Sequence, residues 1–178
     1  MSRENQARQI VDRAGIDSAL QAMTAGIAGL HRDGPVFLAD IPTRGITLAA
    51  RLAERLQSAG LEVSRGSVDI SMYRDDLGLR GGVGALHETD LPVDPERWNI
   101  VLVDDVQHTG RTARAAIEAV LAFGRPRRIL YAVLVDRGGR ELPVRPDFTG
   151  LTVDVAPESR VRVRLAETDA GEEGVFVS

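Results

Sequence analysis

The sequence predicts an α/β fold built on a parallel sheet. Helical and strand-like patterns alternate along most of the chain, which is typical of parallel strands joined by helices. Two segments, 99–103 and 128–135, are continuous apolar runs of the kind found in strands buried on both faces. We expect a single domain over residues 1–178, because roughly 100–200 residues is the usual domain size.

The first elements are a short strand at 9–12 and a helix over 12–31. In the helix, apolar residues recur at steps of three and four and so share one face: Ile16, Leu20, Met23, Ile27 and Leu30. The segment 33–35 ends this helix, and 36–39 is a short buried strand.

A second helix covers 45–59, with leucines in one row and Gly60 as its C-terminal stop. Residues 62–73 alternate well enough to predict a strand. The segment 74–95 is rich in Gly, Asp and Arg and has little periodicity. We expect a functional or mobile loop there, since long irregular segments in compact domains are usually one or the other.

The second half repeats the alternation. The strand at 99–103 is followed by a helix over 112–123, which ends at Gly124. After the strand at 128–135, the tail from 152 to 177 contains shorter strand-like runs.

Composition excludes several chemistries. All 22 basic residues are arginine, and cysteine is absent. A Schiff-base lysine, a Walker-A lysine, a cysteine nucleophile, a disulfide and a cysteine zinc site are therefore excluded. The net charge of −4 argues against indiscriminate nucleic-acid binding. No apolar run approaches the roughly 20 residues of a membrane span, so we expect a cytoplasmic protein without a membrane partner.

The segment 101–113 is the most informative part of the sequence. Asp104 and Asp105 end a buried strand, and a Thr-Gly-Arg-Thr turn over 109–112 leads into a helix. Ligands of α/β proteins bind beyond the carboxyl ends of the strands, where helix N-termini offer unpaired N–H groups to a phosphate. Carboxylates beside such a turn suit the hydroxyls of a sugar phosphate, and they could also orient Mg²⁺. The alternative is that the aspartates only cap the following helix.

The segment 101–113 resembles the phosphoribosyl-diphosphate signature of the type I phosphoribosyltransferases. Nearly the whole chain resembles one group of them, the bifunctional pyrimidine operon attenuation regulators with uracil phosphoribosyltransferase activity. The further segments that carry this resemblance are 42–46, 52–55, 69–77, 90–94, 124–126, 132–138 and 140–144.

The resemblance implies a central parallel sheet flanked by helices, with a mobile loop and a small hood. It also implies Mg²⁺-dependent transfer of phosphoribosyl from phosphoribosyl diphosphate to uracil, with Mg²⁺ carried by the diphosphate and no protein metal ligand assigned. The implied catalytic residues are Asp104, Asp105 and Arg74. Ribose and 5′-phosphate would be bound by Asp104, Asp105, Thr109, Gly110, Arg111 and Thr112, and the diphosphate by Thr43, Arg44, Gly45 and Arg74. The uracil nucleobase would be bound by backbone groups of Val135, Asp136 and Arg137. The roles of Asp75 and Asp76 stay open.

The family also binds the leader of pyrimidine operon mRNA when uridine nucleotides such as UMP or UTP occupy the site. The arginines selected for this are Arg140, Arg145 and Arg160, with Arg162 and Arg164 on the same side of a strand. Gly139 stands where the family has histidine, His108 where it has tyrosine, and 150–159 is apolar and acidic where the family is rich in Ser, Thr and Lys. Two alternatives therefore remain: a mainly RNA-binding regulator that senses nucleotides, or a phosphoribosyltransferase for another base. A homodimer or higher oligomer is expected.

Overall fold

The chain forms two sheets and three α-helices in a computed structural model that describes residues 7–74, 89–92 and 94–178. The strands are β1 Arg8–Val11, β2 Val36–Asp40, β3 Val63–Ser67, β4 Asn99–Gln107, β5 Arg128–Asp136, β6 Phe148–Thr152, β7 Val161–Arg164 and β8 Gly174–Val177. The helices are α1 Arg13–Ala28, α2 Arg44–Ser58 and α3 Arg111–Ala122. Within the described part of the chain, no helix has the length and apolar character needed to cross a membrane.

The central sheet is parallel and five-stranded, with the order β3-β2-β4-β5-β6. Helices α1 and α2 cover one face and α3 covers the other, so the sheet has two cores. On β2, Leu38 faces the first core, whereas Phe37 and Ala39 face the second. Because successive side chains of a strand point to opposite faces, burial of both faces requires the continuous apolar runs seen in the sequence.

The register brings the carboxyl ends of three strands together. Asp40, the last residue of β2, lies opposite Val103 of β4, and Asp104 lies opposite Val133 of β5. At the end of that ladder Gln107 pairs with Asp136. The chain segments that follow these strands therefore meet at one edge of the sheet, where ligands of this fold class bind.

A second, antiparallel sheet has the order β1-β8-β7 and corresponds to the expected small hood. Val163, Leu165 and Val175 of this sheet and its turn are buried in the same core as α1 and α2. The hood is thus continuous with the main hydrophobic core on the α1–α2 side.

Three predicted boundaries were wrong. The strand expected at 62–73 stops at Ser67. Val68 N–H still donates to the carbonyl of Asp40, the last residue of β2. The chain then turns, because the Asp69 side chain accepts from Ser71 N–H. The helix expected over 12–31 ends at Ala28 and continues as a 3₁₀ turn. The strand at 99–103 runs on to Gln107, because β5 continues beside it. The expected mobile loop falls mainly on 75–88, outside the described residues.

Candidate active site at the carboxyl ends of the strands

The paired aspartates lie in the last part of β4 and differ in environment. Asp104 is only 6% exposed; its Oδ1 accepts from Asp105 N–H at 2.9 Å, and Tyr131 donates its hydroxyl to Oδ2 at 3.3 Å. Burial, followed by the charge of Asp105, raises the pKa of Asp104 well above its ordinary value. Asp105 is half-buried, and its Oδ1 accepts from Val106 N–H at 3.0 Å. Asp105 is therefore the more accessible carboxylate of the pair.

The turn over 109–112 has the form expected of a phosphate cradle. Gly110 precedes α3 with a φ of 93°, a left-handed conformation that favours glycine, and the start of α3 has no side-chain cap. A Cβ on Gly110 would lie 3.3 Å from Leu142 Cβ, so a side chain here would push Leu142 away by a few tenths of an ångström. The Thr109 carbonyl accepts from the N–H groups of Glu141 and Leu142 at 2.9 and 3.1 Å, which ties the cradle to the segment after β5.

Arg111 forms an ion pair that a ligand can exchange. Its Nε and Nη2 donate to Glu141 Oε2 at 2.9 and 2.7 Å, and both side chains are about half exposed. Exposed pairs of this kind contribute no more than about 1 kcal/mol. A phosphate at the start of α3 can therefore compete with Glu141 for this guanidinium.

The segment Thr43–Arg44–Gly45 lies beside the end of β4, because β2 and β4 are paired neighbours in the sheet. Ile41 N–H donates to the carbonyl of Val103, the residue before Asp104, at 3.0 Å. A Cβ on Gly45 would lie 2.6 Å from the same carbonyl oxygen, so only glycine lets α2 begin this close to β4. The N-cap residue Thr43 makes no side-chain cap hydrogen bond, which leaves the first turn of α2 open to a ligand.

Arg44 has a partner that the sequence did not indicate. Its Nε and Nη2 donate to Oδ2 and Oδ1 of Asp169 at 3.2 and 2.6 Å. The hydrogen bond to Asp169 raises the pKa of Arg44, and the charges of Asp169 and Asp105 add to this; the same bond lowers the pKa of Asp169 to about 2. Asp169 lies between β7 and β8, 125 positions from Arg44, and no motif marks it.

The three residues expected to bind the nucleobase have side chains that are buried or hydrogen-bonded to other parts of the protein. Val135 is fully buried, and the Asp136 carboxylate accepts from Gly138 N–H at 3.0 Å and from Arg140. The Arg137 guanidinium donates to the carbonyls of Pro157, at 3.2 Å, and of Ser159. Some of their backbone groups are engaged as well: Arg137 N–H donates to the Gln107 carbonyl at 3.1 Å, and the Asp136 carbonyl accepts from Val153 N–H at 3.0 Å. Binding of the nucleobase by the remaining backbone groups stays a prediction.

Two departures from the family pattern are neighbours in space. A Cβ on Gly139 would lie 3.0 Å from Cδ2 and Nε2 of His108, so glycine at 139 makes room for the imidazole at 108. Partial burial, followed by the positive charge of Arg137, lowers the pKa of His108. His108 is therefore neutral at neutral pH.

Arg74 is half-buried and follows the 3₁₀ turn Ser71–Tyr73. That turn is anchored to α3, because Arg114 Nη2 donates to the Tyr73 carbonyl at 3.0 Å. Asp75 and Asp76 lie outside the described residues.

Comparison with known proteins agrees with the architecture. The family model described as the phosphoribosyl transferase domain matches residues 10–167. The hypoxanthine phosphoribosyltransferase of Trypanosoma cruzi superposes with a TM-score of 0.75 at 19% identity, covering 99% of this chain and 94% of that one. A hypoxanthine-guanine enzyme of Leishmania tarentolae, solved with GMP, gives a TM-score of 0.65 at 21% identity and covers 97% of both chains. Fold and family model together define a phosphoribosyltransferase domain.

Relatives of similar sequence show which group of phosphoribosyltransferases the chain belongs to. The bifunctional protein PyrR of Roseiflexus sp. (strain RS-1) is 46% identical over 96% of this chain and 94% of its own. PyrR 1 of Lactiplantibacillus plantarum is 45% identical over 96% and 97%, and PyrR of Akkermansia muciniphila is 40% identical over 94% of each chain. The chain belongs to the bifunctional PyrR family of phosphoribosyltransferases, which confirms the resemblance drawn from its motifs.

Proposed function

We propose that the protein is a uracil phosphoribosyltransferase that converts uracil and phosphoribosyl diphosphate into UMP and diphosphate. The observation that supports this best is the arrangement at one sheet edge. Two helices begin there, and neither N-cap residue caps its helix with a side chain; α2 starts against the carbonyl of Val103, next to Asp104, and α3 follows the turn after β4. One helix start suits the 5′-phosphate, the other suits the diphosphate, and the carboxylates suit the ribose between them.

In this proposal each group of residues has one task. The N–H groups and hydroxyls of 109–112, with Arg111, bind the 5′-phosphate. Asp105 accepts from a ribose hydroxyl; Asp104, whose pKa is raised, shares the ribose and can also donate when protonated. Residues 43–45 and Arg74 bind the diphosphate and stabilise its charge as it leaves, while the reacting sugar carbon passes through an oxocarbenium-like transition state.

Magnesium fits this site as part of the substrate complex. Among the residues that the structure describes, no group of three or more His, Asp or Glu side chains could hold a metal ion by itself. Asp104 and Asp105 supply hard oxygen donors beside the diphosphate position, which suits Mg²⁺ bound mainly by substrate oxygens. The ion would neutralise the diphosphate charge.

A radiolabelled uracil assay with phosphoribosyl diphosphate tests the activity. We expect Mg²⁺-dependent formation of UMP, and no comparable product from hypoxanthine or guanine. Direct binding of phosphoribosyl diphosphate is measured in parallel. Binding of phosphoribosyl diphosphate without conversion of uracil would contradict the enzyme activity and favour a nucleotide-sensing regulator. Conversion of a purine instead would show that the enzyme acts on another base.

We also propose that the protein binds the leader mRNA of a pyrimidine operon when UMP is bound, acting as a homodimer or higher oligomer. Arg145, Arg160 and Arg162 are exposed and can contact phosphates. Arg140 and Arg164 attract phosphates less strongly, because each forms an ion pair with a carboxylate, Asp136 and Glu172 respectively. The surface proposed to bind RNA is therefore less positive than its five arginines alone would indicate.

A gel shift on the organism's own leader, with and without UMP, measures the second activity. We expect UMP to strengthen binding at modest salt, and Arg145→Ala and Arg160→Ala to weaken it without changing UMP synthesis. Binding that UMP does not alter would contradict the regulatory role. Light scattering of the free protein gives the oligomeric state.

A further inference from the structure

Two arginines on α2 hold the turn between β7 and β8 with the same geometry. Arg44 donates from Nε and Nη2 to Asp169 at 3.2 and 2.6 Å. Arg51 donates from the same two nitrogens to Glu167 at 2.9 and 2.7 Å. The two pairs are separated by two helical turns, or about 10 Å along α2. Both pairs link the core to the hood, so both contribute to the placement of the hood.

Only one of the two arginines lies at the proposed substrate site. Arg44 is the first residue of α2, in the segment held against the Val103 carbonyl next to Asp104. The charge of Asp105 contributes to the raised pKa of Arg44. Arg51 is surrounded instead by Glu167 and Glu173, which are the acidic groups that raise its pKa. The guanidinium of Arg44 is therefore paired with a hood carboxylate at a helix start that packs against the residue next to Asp104.

The Asp169 carboxylate is itself fixed before it meets Arg44. Its Oδ2 accepts from Leu165 N–H at 2.9 Å and from the Thr168 hydroxyl at 2.8 Å. Its pKa of about 2 keeps it ionised at any working pH. A carboxylate with three kinds of donor holds the guanidinium in one orientation, whereas an unpaired arginine samples many rotamers.

The ion pair does not use the whole guanidinium. Asp169 takes the Nε–Nη2 edge, and Nη1 has no part in the pair. A bound diphosphate can thus accept from Nη1 while Asp169 stays in place. Ordering the side chain in advance lowers the entropic cost of binding.

We propose that Asp169 is a positioning residue that orients Arg44 for the diphosphate group of phosphoribosyl diphosphate. This inference rests on the proposed function only in its choice of ligand. Asp169 acts through Arg44 and does not touch the substrate. The hood turn thereby takes part in diphosphate binding, although it lies far from every substrate motif in the sequence.

Asp169→Asn tests the proposal, with Glu167→Gln as the matched control, because each replaces one two-pronged partner of an α2 arginine by its amide. For Asp169→Asn we expect the KM for phosphoribosyl diphosphate to rise about 10-fold, with little change in kcat or in the KM for uracil. Glu167→Gln is expected to leave all three unchanged. Asp169→Glu is expected to restore part of the affinity, since it keeps the charge.

Arg44→Lys provides a second test that keeps the positive charge but removes the two-pronged contact. Combining it with Asp169→Asn should add little further loss, because both changes remove the same orientation. Calorimetric binding of Mg²⁺-diphosphate, without uracil, is measured for every variant, together with its melting temperature. Binding is measured well below the melting temperature of every variant, so that an affinity loss confined to Asp169→Asn is not an effect of unfolding.

The outcomes separate this inference from the proposed enzyme activity. If the protein makes no UMP but Asp169→Asn weakens diphosphate binding, the activity fails and the positioning role stands. Unchanged diphosphate affinity in Asp169→Asn overturns the positioning role, and so does tighter binding, which would make Asp169 a competitor of the ligand. A protein that does not bind diphosphate at all overturns it as well.

Discussion

The N-terminus of α1 differs from those of α2 and α3. Asp12 precedes α1 in an extended conformation, and its Oδ1 accepts from Gly15 N–H at 2.9 Å, which is an ordinary side-chain cap. Thr43 and Gly110 precede the other two helices and make no such bond. At α1, which starts near the hood sheet, a side chain thus accepts a hydrogen bond from a backbone N–H of the first turn. At α2 and α3 the N-cap residue supplies no such side-chain acceptor, and at α3 Thr109 Oγ1 accepts from Arg111 N–H only at the long distance of 3.4 Å.

The difference separates structural from ligand-binding helix starts. An uncapped first turn loses about 1 kcal/mol of stability, which a bound anion can return through the same N–H groups and the helix dipole. We therefore expect Asp12 to contribute to folding alone, and residues 43–45 and 109–112 to contribute to the proposed substrate binding. Four substitutions, from the largest expected effect to the smallest, test this assignment.

Replacing both Asp104 and Asp105 by Asn removes the carboxylates at the sheet edge where α2 and α3 start. We expect UMP formation to fall by at least about 10³-fold, because the sugar loses its charged hydroxyl acceptors. The fold should persist: the pKa of Asp104 is raised in the folded state, so its ionised form costs stability as the pH rises to neutrality, and the neutral amide avoids that cost. Steady-state kinetics and thermal melts measure the two effects. Retained activity would remove both residues from the site.

Thr43→Asp places an acidic group at the start of α2, as Asp12 does at α1. We expect the KM for phosphoribosyl diphosphate to rise at least about 10-fold, since the new carboxylate repels the diphosphate at close range. Thr43→Asn is the control of nearly equal size without the charge, and it should change KM far less. Equal effects of the two variants would show that shape, and not charge, matters at this helix start.

Gly110→Ala tests the start of α3. The change forces a side chain into a left-handed conformation and toward Leu142, so we expect a loss of about 1 kcal/mol of stability and a several-fold higher KM. Gly60→Ala is the matched control, because Gly60 also has positive φ but has nothing within 4 Å of the new Cβ. Denaturant melts should give a loss for Gly110→Ala at least as large as that for Gly60→Ala, and only Gly110→Ala should alter kinetics.

Asp12→Ala removes the cap of α1 and completes the comparison. We expect a loss of about 1 kcal/mol of stability, measured by chemical denaturation, with unchanged kcat and KM. Asp12→Asn should retain most of the stability, as asparagine caps equally well. A changed KM for phosphoribosyl diphosphate would mean that α1 also contributes to the site.

Most of the core and the turn at 109–112 were predictable from the sequence because their signals are local. The continuous apolar runs at 99–103 and 128–135 indicated strands buried on both faces, and both are central strands of the sheet. Boundaries were less predictable. Val63–Ser67 stops where its partner β2 stops, and Asn99–Gln107 extends as far as its partner β5 allows. A strand's length depends on its neighbour, and the neighbour is not adjacent in the sequence.

The sequence by itself determined the alternating architecture, the family and the cradle at 109–112, because each depends on residue types at short, fixed spacing. The tertiary structure decided how the charged groups are used. It pairs Arg44 with Asp169, engages Arg137 with backbone carbonyls, and buries Asp104 against Tyr131. Burial and ion pairing arise where distant segments meet, and the strength of a charge depends on that environment. Local patterns therefore indicated the segments proposed to bind substrate, whereas long-range packing determined the orientation and protonation of their side chains.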